Sequence, residues 1–154
     1  MPGVLRGFLS NSGQVCLAGT RILVERRTCE AFTKTLVQGM SALSAGSGDN
    51  EIAPMTTRAQ YETVQQYYSL AKAEGAVAAV GGKLPDGRTL GDGWFVAPTL
   101  YVGVSRDMRI AREEIFGPVS QRQSIAICSN YRPYCPRPSI GAYWRSILSA
   151  ASNR

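Results

Sequence analysis

FLSNSGQVCLAGTR (residues 8–21) sets a single cysteine, Cys16, between a Gly-Gln step and a run of small residues. The segment leads straight into RILVE (residues 21–25), a short run of branched apolar residues that reads as a buried strand. Two readings are open for Cys16. A free cysteine is commonly a small buried hydrophobe. A thiolate nucleophile instead needs a partly open site and a feature that favours the charged form. Asn11 or Ser12 could cap a short helix, which would bring backbone N–H groups and the positive end of the peptide dipoles to the thiol. Gly13, Ala18 and Gly19 add no bulk, so a substrate carbonyl could approach closely. Local chemistry permits a nucleophile without demanding one.

Outward from this stretch, strands and helices alternate. After RILVE, Thr28 is placed as an N-cap and Glu30 suits a first turn, while Phe32, Leu36, Met40 and Leu43 recur at helical spacing. The loop AGSGDNEIAP ends that helix. Thr57 and Gln60 form a capping-box pattern for a second helix with Tyr61, Val64, Tyr68 and Ala71 as its apolar stripe, read as core packing, and Gly75 is placed to end it. AVAAVGG (residues 76–82) reads as a strand, KLPDGRTLGDG as turns, and WFVAPTLYVGV as extended structure broken at Pro98. MRIAREE (residues 108–114) reads as a short helix ended by the Gly117-Pro118 step. The alternation predicts an α/β fold with a mostly parallel sheet and flanking helices.

Composition narrows the function. The 154 residues fit one domain, and 44% hydrophobic content is that of a globular chain. Net charge is +6, yet every acidic residue lies at or before Glu114, and residues 120–154 carry Arg122, Arg132, Arg137, Arg145 and Arg154 with no acid. Basicity thus belongs to a tail, which argues against a nucleic-acid-binding domain. With no histidine, neither a Cys-His dyad nor a Ser-His-Asp triad can form within the chain. Cys128 and Cys135 have no second pair at zinc spacing, so no metal site is expected. GGK (residues 81–83) lacks the upstream glycine of a phosphate-binding loop, and GDGWFV lacks the third glycine of a dinucleotide fingerprint. Four cysteines without a secretory leader or membrane-length apolar run lead to the expectation of a reduced, cytoplasmic protein with no membrane partner.

NSGQVCLAGTR resembles the catalytic-cysteine signature of the aldehyde dehydrogenase superfamily, with Cys16 at the nucleophile position. EEIFGPV (residues 113–119) is similar to the family segment that contacts the nicotinamide half of the cofactor. IAPM, AEGA, GGK and WFVAPTL follow in family order between them, so the resemblance runs over residues 4–119. It implies NAD(P)-dependent oxidation of an aldehyde substrate to a carboxylic acid. Cys16 would form a thiohemiacetal and then a thioester, its backbone N–H holding part of the oxyanion charge. Glu114 would bind the nicotinamide ribose hydroxyls of NAD or NADP, and Phe116 would pack beside the nicotinamide ring.

Other family parts have no counterpart here. The Rossmann-type cofactor domain, the side-chain amide of the oxyanion hole and the general-base glutamate precede the cysteine signature in the family. After Val119 the family's further strands and oligomerisation segment are not recognisable, although its members are usually homo-oligomers. The expectation is therefore a partial catalytic domain over residues 1–119 and an unrelated, irregular and disordered tail over residues 120–154. Such a chain is expected to be inactive alone. The alternative from another class is a non-catalytic interaction module using its basic tail.

Overall fold

The structure is a computed structural model and describes residues 2–46, 51–84 and 93–125. Helix α1 (Pro2–Leu9) leads through a tight turn, Ser10–Gly13, and an irregular loop into β1 (Arg21–Glu25). Then come α2 (Cys29–Ser41), the two-residue strands β2 (Ser44–Ala45) and β3 (Glu51–Ile52), and α3 (Arg58–Ala73). Strands β4 (Val77–Val80) and β5 (Thr99–Val102), the single turn α4 (Arg109–Arg112) and β6 (Val119–Ile125) complete the order.

The main sheet runs β1-β6-β5-β4, with β6 parallel to both β1 and β5 and only β4 antiparallel. β2 and β3 make a separate parallel pair. Side-chain alternation divides the core between the two faces of the main sheet. Leu100 faces one side with Phe8, Ile22, Leu36 and Met40, beneath α1 and α2. Its neighbour Tyr101 faces the other side with Val64, Ala71, Ile110 and Val119, beneath α3 and α4. The α/β architecture with a mostly parallel sheet is thus present.

Both expected long helices form, and their apolar stripes are the buried or half-buried faces. Thr57 caps α3 by accepting the Gln60 N–H at 3.2 Å. Thr28 does not cap α2. Its backbone is in the helical region and its hydroxyl donates instead to the Glu25 carbonyl, 3.2 Å away. Nor does MRIAREE stay helical to the Gly-Pro step: α4 stops at Arg112, and Glu113 is extended at φ −89°, ψ 157°. β6 continues through Ile125, beyond the Val119 boundary expected from the resemblance, and is an interior strand of the sheet. Most of KLPDGRTLGDG and all of residues 126–154, the bulk of the expected tail, lie outside the described residues.

Two buried tyrosines sit between α3 and the sheet. The Tyr68 hydroxyl donates to the Ala97 carbonyl at 2.9 Å and receives a hydrogen bond from Thr99. Burial is the main cause that pushes its ionisation up to about 12, and burial also drives the Tyr101 phenol upward. In the unfolded chain Tyr68 ionises near 10.0. The folded state therefore keeps a proton that the unfolded state loses, and stability falls as pH rises from about 10 toward about 12. Denaturant titration across that range should show this loss, and Tyr68→Phe should reduce it to the part that Tyr101 contributes.

Candidate active site

Two loops meet at one end of the sheet. Residues 14–20 precede β1 and residues 113–118 precede β6; because these strands are parallel neighbours in the register Arg21↔Gln121, both loops emerge at their amino ends. Ligands of open α/β sheets usually gather beyond the carboxyl ends of strands, so this arrangement departs from the common rule.

Asn11, Ser12 and Gly13 all adopt left-handed backbone conformations, with φ of 50°, 56° and 70°. No helix starts at Asn11 or Ser12, contrary to the expectation from the sequence. Asn11 instead closes a turn, its Nδ2 donating to the Gln14 carbonyl at 3.1 Å. Cys16 follows in a second turn, closed by the Ala18 N–H on the Val15 carbonyl at 2.9 Å, and its side chain is exposed. The thiol is therefore accessible without standing at a helix N-terminus.

The cysteine loop is pinned from both sides. Ser12 donates to the Ala53 carbonyl at 2.7 Å, and Gln14 Oε1 accepts the Thr56 N–H at 2.9 Å. Gly13 lies against Gly117 so closely that a Cβ there would fall 2.0 Å from the Gly117 carbonyl oxygen. On the opposing segment, Gln60 Nε2 donates to the Phe116 carbonyl at 2.7 Å. Phe116 is half-buried.

The two adjacent glutamates have different surroundings. Glu113 accepts from Arg109 Nε at 2.7 Å and Nη2 at 3.0 Å, and from the Tyr67 hydroxyl at 3.0 Å. The bond from Arg109 holds its carboxyl below the usual range, with Tyr67 adding to it. Glu114 is exposed and makes no hydrogen bond among the described residues. Its carboxylate is close enough to Arg21 to favour that guanidinium's charge, partly offsetting the lowering caused by burial. Among the described residues there is no cluster of metal-binding side chains and no helix long and apolar enough to cross a membrane.

The structure thus places Cys16 on one loop and Glu114 and Phe116 on the other, with Gly13 and Gly117 joining the loops. Sequence reasoning missed Gln14, Arg21 and Gln60, whose partners are distant in the chain. One signal was available: an arginine opening a strand with an apolar centre must find partners for its head group.

A sequence profile described as the aldehyde dehydrogenase family matches residues 1–125. The betaine aldehyde dehydrogenase of Mesorhizobium japonicum is 38% identical over 120 residues, covering 76% of this chain and 25% of that protein. The hydroxyisobutyraldehyde dehydrogenase of Mycolicibacterium austroafricanum is 38% identical over 119 residues, covering 75% of this chain and 23% of its own. Among solved structures, betaine aldehyde dehydrogenase from Staphylococcus aureus in complex with NAD+ aligns with a TM-score of 0.74 at 38% identity, over 80% of this chain and 25% of that one. The NAD+ complex of aldehyde dehydrogenase from Bacillus cereus aligns at 0.72 and 36% identity, over 81% and 25%. The chain belongs to the aldehyde dehydrogenase family. It spans about a quarter of the length of the relatives it matches.

The Gly13–Gly117 approach can be tested against a glycine without neighbours. Gly13→Ala combines a left-handed φ with a backbone collision, and it should cost about 3 kcal/mol or more. Gly75→Ala has φ +81° but open space, so only the conformational cost of about 1 kcal/mol is expected. Chemical denaturation of the two variants gives the comparison.

Proposed function

We propose that Cys16 is the nucleophile of NAD(P)-dependent aldehyde oxidation, with Glu114 and Phe116 holding the nicotinamide half of the cofactor. The observation that carries this reading is the meeting of the cysteine loop and the Glu114–Phe116 segment at Gly13 and Gly117. An exposed thiol in a loop of small residues gives a carbonyl carbon room to approach. Thiolate attack forms the C–S bond and moves the carbonyl electrons to oxygen, where the Cys16 backbone N–H can donate.

The second loop supplies a fitting set of groups for the nucleotide. Glu114 has two acceptor oxygens unoccupied by protein donors among the described residues, which suits a pair of ribose hydroxyls. Glu113 cannot substitute, because Arg109 and Tyr67 already occupy it. Phe116 offers an aromatic ring on a backbone that Gln60 holds at the Phe116 carbonyl. When bound, NAD(P) supplies the hydride acceptor.

Turnover also needs a base to activate water for thioester hydrolysis. By resemblance, the family's base, oxyanion amide and main nucleotide-binding domain come from sequence ahead of the cysteine signature. These 154 residues are therefore expected to show thiol reactivity without turnover by themselves.

With labelling resolved peptide by peptide, iodoacetamide should modify exposed Cys16 at least about tenfold faster than buried Cys29, and Cys16→Ser should remove the adduct on that peptide. The purified chain should form no NADH from an aldehyde. Aldehyde-dependent NADH lost in Cys16→Ser would overturn the inactivity while supporting the chemistry. Residues 4–119 grafted into the Staphylococcus aureus enzyme should support turnover. A folded, NAD-binding graft that remains inactive would count against Cys16 as nucleophile.

A further inference from the structure

Helix α4 has a single turn, so its own backbone satisfies few of its terminal groups. At its amino end, Glu74 accepts the Arg109 N–H at 2.7 Å and the Ile110 N–H at 3.3 Å. At its carboxyl end, four successive carbonyls from Ile110 to Glu113 are taken by side chains from the sheet. Gln121 Nε2 donates to Ile110 O. Arg21 donates from Nε to Ala111 O at 2.8 Å, and from Nη2 to Arg112 O at 3.0 Å and Glu113 O at 3.1 Å. Arg21 and Gln121 are register partners on β1 and β6.

We propose that Arg21 is a positioning residue: with Gln121 it fixes the carbonyl end of α4, and so sets where Glu114 and Phe116 stand relative to the cysteine loop. Arg21 closes the cysteine signature at the start of β1, while Glu114 directly follows the last carbonyl that Arg21 holds. One side chain therefore couples both loops across a separation of 92 residues. The guanidinium suits the task because its donors lie in a rigid plane, and a cation is favourable at helix carbonyls. A lysine ammonium is a compact charge on a flexible stem and cannot reproduce this spread of donors. Two of the three bonds, to Ala111 O and Glu113 O, are partly buried, so losing their donor leaves those carbonyls incompletely satisfied.

The assignment of Glu114 to a nucleotide rests on the function proposed above, whereas the coupling itself does not. The test is backbone 15N relaxation on the full chain, comparing wild type with Arg21→Met and Arg21→Lys. In the wild type, residues 113–117 should have order parameters near the rigid value of about 0.85. Both variants should lower them to below about 0.6 while α3 stays rigid. Arg21→Lys covers the possibility that Arg21→Met does not fold. Unchanged order at 113–117 in a folded variant would overturn the proposal. Equal loss of order across α3 would also overturn it, by making Arg21 a general stabiliser. In the Staphylococcus aureus graft, a Glu114→Gln variant with unchanged NAD affinity and unchanged turnover would sink the nucleotide assignment, while the local loosening in the Arg21 variants would still establish Arg21 as the coupling residue.

Discussion

The close approach of Gly13 to Gly117 is the constraint on which the site depends. A side chain at Gly13 would overlap the Gly117 carbonyl, and the left-handed backbone there already favours glycine. Because backbone meets backbone, the cysteine loop cannot drift from the 113–118 loop without opening a gap in the packing. Ser12 and Gln14 then fasten the first loop to residues 53–56, and Gln60 fastens the second to α3. The thiol stays exposed while the frame around it is tied at several points.

Polar side chains in this region divide between support and availability. Glu113, Gln121 and Glu74 serve backbone groups or neighbouring ions of α4. Glu114, one residue on, has no such duty among the described residues. An adjacent pair of identical residues thus splits into a supporting member and an available one. The split arises because Glu113 faces Arg109 and Tyr67 in the crevice between α3 and α4.

The sequence made the repeating parts legible. RILVE, the stripes of α2 and α3, and the Thr57 cap follow from periodicity and local hydrogen bonding, which a short window contains. Cys16 was legible as a candidate from its small neighbours, and Glu114 and Phe116 only through the family resemblance. What local reasoning misjudged depends on remote partners. Residues 11–13 turn left-handed where they meet Gly117, and α4 ends early where Arg21 and Gln121 capture its carbonyls. β6 was not legible as a strand, because residues from Ser120 on belong to a stretch without acid or periodicity, yet Ser120 and Gln121 are buried between paired strands.

The interior position of β6 has a consequence for the order of assembly. β1 leaves the ribosome well before β6, since its partners Gln121 to Ile125 come about a hundred residues later. At the usual pace of synthesis that interval lasts roughly 5–20 s. During it, the edge of RILVE that will pair with β6 stays unsatisfied, while α1 and α2 can already cover one face. Sheet closure is therefore a late, long-range event, and the two loops reach their mutual arrangement in the same step that inserts β6 between β1 and β5.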